Sequence, residues 1–81
     1  MDQLINGANK LAHSLRSCRK SKGLTQATAA GRSGLLPKTI SLLENHPEKS
    51  TVESLRKYIS SLGLEFILRE KPELTNDGQD W

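Results

Sequence analysis

The side chains best suited to contact a ligand lie close together, within residues 25–45. Lys38 and Ser41 are three residues apart, which puts a cationic donor and a hydroxyl on the same face of a helix. A lysine can donate to guanine O6 and N7, and neighbouring apolar side chains such as Pro37 or Leu42 can touch a thymine methyl group. We therefore predict that base edges of DNA are contacted by Pro37, Lys38, Thr39, Ser41 and Leu42.

Two short helices joined by a turn are needed to present these side chains. Thr25 is a good N-cap for a helix over residues 26–33, and Gly34 is suited to the tight turn that follows. Pro37 fits the first turn of a third helix, which should end near Asn45, because proline lacks the amide that is unpaired there. The pattern predicts a helix-turn-helix, whose second helix we call the recognition helix.

Helices are also predicted on both sides of this unit. The first runs from about Asn9 to Lys22 and the fourth ends at Gly63, with Ser50 or Thr51 as its N-cap and Glu53 completing a capping box. Residues 1–8 are expected to be a flexible lead-in, and residues 46–49 a loop. Helical spacing places five side chains on one face of the first helix, namely Leu11, Ala12, Leu15, Cys18 and Arg19. The apolar stripe of the fourth helix is Val52, Leu55, Tyr58, Ile59 and Leu62.

One short strand is predicted after these helices, at residues 64–69, where apolar and polar side chains alternate. A lone strand in a helical chain has an unpaired edge, so we expect it to pair with its copy in a homodimer. The alternative is a strand that lies on the chain's own helices. A dimer would place two recognition helices about 34 Å apart, which suits a palindromic site. The predicted dimerisation residues are Leu64, Phe66, Ile67 and Leu68.

Charge is distributed unevenly along the chain. The formal net charge is +3, with +6 over residues 1–43 and −3 over residues 44–81. A basic first half suits contact with phosphate, although solvated helix faces would account for any single lysine or arginine. The candidates for phosphate contact are Thr25, Gln26, Lys20, Lys22, Arg32, Asn45 and His46.

Other classes of protein are disfavoured. There is one cysteine, Cys18, so no internal disulfide can form, and it lies on an apolar stripe. His13 and His46 are not joined by a cysteine or carboxylate cluster at ligand spacing, so no metal site, cofactor or catalytic centre is predicted. No apolar run has the length of a membrane span and no signal peptide is evident, so we expect no membrane association and a cytoplasmic protein, nucleoid-associated when bound to DNA.

The motif resembles a known family. Thr25-Gln26, Ala30, Gly34, Ile40-Ser41 and Glu44-Asn45 are similar to the helix-turn-helix of the Cro/C1 (Xre) phage repressors, over roughly residues 11–62. The resemblance implies an all-α fold, a lambda-repressor-like bundle of four to five helices. The chain departs from the family at Ala29 and Ser33, and its recognition helix carries few amide side chains. The operator sequence therefore cannot be transferred.

A closer resemblance is to HipB-type antitoxins. It rests on the ending Glu44-Asn45-His46-Pro47, the single strand, and a polar tail that ends in Trp81. It implies a dimer that binds double-stranded operator DNA at its own operon and restrains a HipA-like kinase toxin. It also implies a structural ion pair between Arg19 and Glu44, and toxin docking by Asp80 and Trp81 in a flexible tail over residues 70–81.

Two other interpretations remain open. One is a free-standing phage-type repressor with no toxin partner. The other is a helical adaptor for protein contacts that does not bind DNA.

Overall fold

Four α-helices and one short 3-10 turn make up the regular structure of residues 4–70, which are the residues that the computed structural model describes. The helices are α1 (Ala8–Ser21), α2 (Gln26–Ser33), α3 (Pro37–Asn45) and α4 (Val52–Ser61). The 3-10 turn, Pro47–Lys49, occupies what was predicted to be a loop. The all-α fold is as predicted, and α1 begins and ends one residue earlier than expected.

Local sequence signals set the boundaries of the helix-turn-helix. The Thr25 hydroxyl accepts a hydrogen bond from the Thr28 amide at 3.1 Å, which caps α2. Gly34 ends α2 with φ of 75°, a left-handed conformation that glycine adopts without strain. Pro37 is the first residue of α3.

The start of α4 settles one open choice and corrects two expectations. Of the two candidate N-caps, Ser50 and Thr51, Thr51 is the N-cap, and its hydroxyl accepts a hydrogen bond from the Ser54 amide at 3.0 Å. Glu53 consequently lies one position too early for a capping box, and it pairs instead with Arg56 at 2.8 Å. Val52 was predicted to be on the apolar stripe, but it is 73% exposed, because the face of α4 that packs against the core begins at Leu55.

The core lies where the four helices meet. Its buried side chains are Leu15, Ala29, Ala30, Ile40, Leu43, Tyr58 and Leu62, with Leu11, Cys18, Leu24, Leu35, Leu55 and Ile59 packed around them. The alanines on α2 let that helix approach its neighbours closely, and α2 contacts both α3 and α4. The helix-turn-helix is thereby fixed against α1 and α4.

The segment after Gly63 has no regular secondary structure and forms no strand within the described chain. Its apolar side chains are partly or largely exposed, from 38% for Leu64 to 92% for Leu68. Leu64, Phe66 and Ile67 line a groove together with Leu4, Leu11, Leu55 and other residues. Pairing of this segment with its copy in a dimer stays a prediction. The tail beyond Glu70, with Asp80 and Trp81, lies outside the described residues.

Candidate nucleic-acid interface

The recognition helix α3 has one buried face and one open face. Ile40, Leu43 and Glu44 are buried against the rest of the bundle. Pro37 and Lys38 are exposed at its start, and Ser41 lies one turn further along the helix. The helix therefore presents its N-terminal half to solvent, the geometry in which a helix end can enter a DNA groove.

The predicted base-reading residues differ in how far they are exposed. Pro37 and Lys38 are exposed, whereas Thr39, Ser41 and Leu42 are partly buried. Asn45, a candidate for phosphate contact, donates through Nδ2 to the backbone oxygen of Ser41 at 2.7 Å and lies 3.4 Å from its hydroxyl. These bonds engage the donor hydrogens of Asn45, so it can donate to phosphate only after its side chain rotates.

The other phosphate candidates are spread over several elements. Lys20, Thr25, Arg32 and His46 are exposed, and the His46 ring lies 3.5 Å from the Glu48 carboxylate. The Lys22 ammonium lies 3.9 Å from the position that a Cβ atom on Gly63 would occupy. Lys22 is thus at the C-terminal end of α4, where the partial negative charge of the helix favours a cation.

A buried carboxylate, Glu44, joins α1, α2 and α4 to the recognition helix. Arg19 donates through Nε at 2.7 Å and through Nη2 at 3.0 Å, which makes a bidentate ion pair. Gln26 donates through Nε2 at 3.2 Å, and the Tyr58 hydroxyl donates to the same carboxylate. Arg16 also donates to the backbone oxygen of Glu44 at 2.6 Å. Glu44 has no exposed surface, so these donors take the place of the water molecules that would solvate the carboxylate in the unfolded chain.

The charges in this cluster stabilise one another. The hydrogen bond to Glu44 raises the pKa of Arg19 despite burial. Burial alone would raise the pKa of Glu44, but the hydrogen bonds from Arg19, Tyr58 and Gln26 outweigh burial and hold that pKa below its usual value. Burial, together with the bond to Glu44, raises the pKa of the Tyr58 hydroxyl. The carboxylate is therefore ionised and the phenol neutral at neutral pH.

Sequence reasoning missed three features of this region. Gln26 was placed at the N-terminus of α2, as found, but its amide is held by Glu44. Tyr58 was assigned to an apolar stripe, and the signal for its polar role was that a buried tyrosine hydroxyl usually needs a partner. Leu36, the N-cap of α3, is 60% exposed, and its position before Pro37 was the available signal.

Curated relatives decide the family. The chain is 33% identical over 66 residues to antitoxin HipB of Escherichia coli strain K12, covering 82% of this chain and 75% of the relative. It is 32% identical over 66 residues to antitoxin HipB of Escherichia coli O6:H1 strain CFT073, covering 82% of this chain and 70% of the relative. The chain belongs to the HipB antitoxin family. No family model matches it.

Solved HipB structures have the same fold. A HipB variant in complex with an O2 20mer matches with a TM-score of 0.79 and 33% identity, covering 86% of this chain and 97% of that one. A HipA-HipB-O2-O3 complex matches with a TM-score of 0.79 and 32% identity, covering 85% and 97%. The HipB family resemblance therefore extends over nearly the whole of the solved chains.

Two further findings concern what the described residues lack. No described helix has the length and apolar character needed to cross a bilayer. Among the same residues, no group of three or more histidine, cysteine, aspartate or glutamate side chains is arranged to hold a metal ion.

Proposed function

We propose that this protein is a DNA-binding antitoxin that represses its own toxin-antitoxin operon and restrains a HipA-like kinase. The observation that carries the proposal is the match to HipB chains in complexes whose names include O2, O3 and HipA, which we take as operator DNA and a toxin. The match includes the helix-turn-helix, whose second helix is open at its N-terminal half. The protein acts by binding and has no catalytic role.

DNA is bound through the major groove, with the start of α3 against the base edges. Lys38 is exposed and supplies the cationic donor for guanine, and Pro37 lies beside it. Behind them lie Thr39, Ser41 and Leu42, which contact the base edges only through the parts of their side chains that are exposed. Phosphates are contacted by the free backbone amides at the N-terminus of α2, where the Gln26 side chain itself is held by Glu44, and by the exposed basic side chains of Lys20 and Arg32.

Two copies pair through the apolar groove that is lined by residues from both ends of the described chain. Leu4, Phe66 and Ile67 line this groove and are more than half exposed in one copy, a contiguous apolar surface that a monomer leaves in water. Pairing of residues 64–69 with their copy would cover that surface and satisfy the unpaired backbone of the segment. The resulting two-fold dimer matches a palindromic operator.

The toxin is held by the tail, with Trp81 as the anchor, because tryptophan is enriched among residues that dominate binding energy. We place the protein in the cytoplasm, on the nucleoid when bound to DNA. A pull-down with a HipA-like kinase tests the docking. Loss of the last two residues should abolish capture and leave DNA binding intact, whereas undiminished capture would remove the tail from the account.

The test of DNA binding uses a duplex taken from upstream of the gene and a scrambled duplex of equal length. We expect a mobility shift specific to the first duplex, and affinity that falls steeply between 50 and 200 mM salt, by about 10³-fold or more for a protein with six or more phosphate contacts. Equal affinity for both duplexes would show that the protein binds DNA without sequence specificity. Absence of any shift, together with capture of the kinase, would show that the protein is an adaptor that does not bind DNA.

A further inference from the structure

Leu36 breaks two local rules at the start of the recognition helix. It is 60% exposed, although it is a large apolar side chain. It is also the N-cap of α3, where its side chain cannot bond to the free amides of the first turn. Leucine is among the poorest N-cap residues, while serine, threonine, aspartate and asparagine are the best. Any of those four would remove both faults.

The neighbouring helices show that the chain does use good caps elsewhere. Thr25 and Thr51 cap α2 and α4, each accepting a hydrogen bond from an amide three residues on. Leu36 therefore weakens its helix where a threonine would strengthen it. Local rules are most often broken where function requires it, and this position lies at the end of α3 that the proposed function puts against DNA.

Dimerisation does not explain the exposure of Leu36. The exposed apolar residues at the two ends of the described chain line the shared groove, but Leu36 is not among the residues that line it. Its immediate neighbour Leu35 packs against the core, and the Leu35 amide donates to the Ala30 oxygen at 3.1 Å. Because Leu35 is fixed against the core, the side chain of the next residue, Leu36, is left in solvent.

The backbone on both sides of Leu36 is constrained. Leu36 has φ of −84° and ψ of 151°, the extended conformation to which a residue before proline is confined. Pro37 fixes φ on the other side and begins the helix. An apolar group with so little backbone freedom loses little conformational entropy when it is buried against a partner.

We infer that Leu36 is a specificity-determining residue that packs against the 5-methyl group of a thymine in each operator half-site. Among groups in the major groove, the thymine methyl is the apolar one, so it is the group that a leucine side chain can recognise. The inference rests on the proposed function and adds a residue and a base to it. Lys38, two positions on, contacts a different base.

The test replaces single thymines with deoxyuridine, which lacks only the methyl group. The full-length protein selects a duplex from a randomised pool, and each thymine of that duplex is then replaced in both half-sites. We expect one replacement to weaken binding by about fourfold per half-site, the equivalent of about 0.8 kcal/mol for one buried methyl group. The measurement is the dissociation constant by fluorescence anisotropy.

Leu36→Ser then identifies the residue that contacts the methyl group. This variant has a better cap, so we expect its melting temperature to equal or exceed that of the wild type, and its binding should be indifferent to the same replacement. Val52→Ser is the matched control, because Val52 is 73% exposed at the start of α4, and it should retain the full effect.

Three results would overturn the inference. They are a selected duplex in which every thymine tolerates deoxyuridine, a Leu36→Ser variant that keeps the wild-type loss, and a Leu36→Ser variant that melts below the wild type. Failure to enrich any sequence would instead overturn the proposed function, and the inference with it.

Discussion

Replacing Glu44 with alanine tests whether its buried carboxylate holds the recognition helix in place. The substitution removes the acceptor for Arg19, Gln26 and Tyr58 at once. Arg19 is 8% exposed, so its guanidinium keeps one protein partner, the Leu24 backbone oxygen at 2.7 Å, and little water. The Tyr58 hydroxyl has no exposed surface and would be left without its acceptor.

The expected loss is large for a chain of this size. Breaking a buried ion pair by removing one partner costs about 3–5 kcal/mol. In a domain of 60–100 residues, each kcal/mol lowers the melting temperature by about 4–8 °C. We therefore expect Glu44→Ala to lower the melting temperature by at least about 12 °C. Tyr58→Phe removes one hydrogen bond to a charged group and should cost about 1.5–3 kcal/mol.

Thermal unfolding followed by circular dichroism provides the measurement. Glu53→Ala is the control, because Glu53 also pairs with an arginine but on the surface, where an ion pair contributes little. We expect no measurable change in the control. A melting temperature for Glu44→Ala within one or two degrees of the wild type would refute the view that this carboxylate stabilises the fold.

Three further predictions follow from the charges and the exposed surfaces. The pKa of Glu44 is lowered in the folded protein, so the stability that the ionised carboxylate contributes is complete above the unfolded pKa of 4.5 and is lost as the pH falls through the folded pKa. When the melting temperature is measured against pH, Glu44→Gln should therefore show a smaller decrease than the wild type in this acid range. In a filter-binding assay, Lys38→Ala should weaken operator binding by about 1–3 kcal/mol and relax the sequence preference at one base pair. Lys57→Ala is the control, because Lys57 is exposed on α4, and it should change neither the affinity nor the preference. Phe66→Lys should convert the dimer to a monomer in sedimentation analysis, because it places a charge in the proposed dimer interface. An unchanged mass would exclude the groove that Phe66 lines as the dimer interface.

The helix-turn-helix could be predicted because its signals are local. Thr25, Gly34 and Pro37 each act within one turn of chain, and α2 and α3 begin at the predicted residues. The start of α4 was ambiguous, since Ser50 and Thr51 can both cap and the choice between them also decides the position of Glu53.

Packing between distant elements could not be predicted in the same way. Helical periodicity places Tyr58 inward, but its bond to Glu44 depends on how α4 crosses α3. The exposure of Val52 likewise depends on which turns of α4 are covered. Gln26 was expected to use its side chain for phosphate, and only the folded chain shows that Glu44 holds it.

Protection of guanine N7 from dimethyl sulfate tests the central claim most directly, because N7 lies in the major groove where α3 is proposed to bind. The account predicts protected guanines in two half-sites about 10 base pairs apart, related by two-fold symmetry, and loss of that protection in Lys38→Ala. A bound duplex whose guanines all react as in free DNA, or protection at one unpaired site, would contradict it.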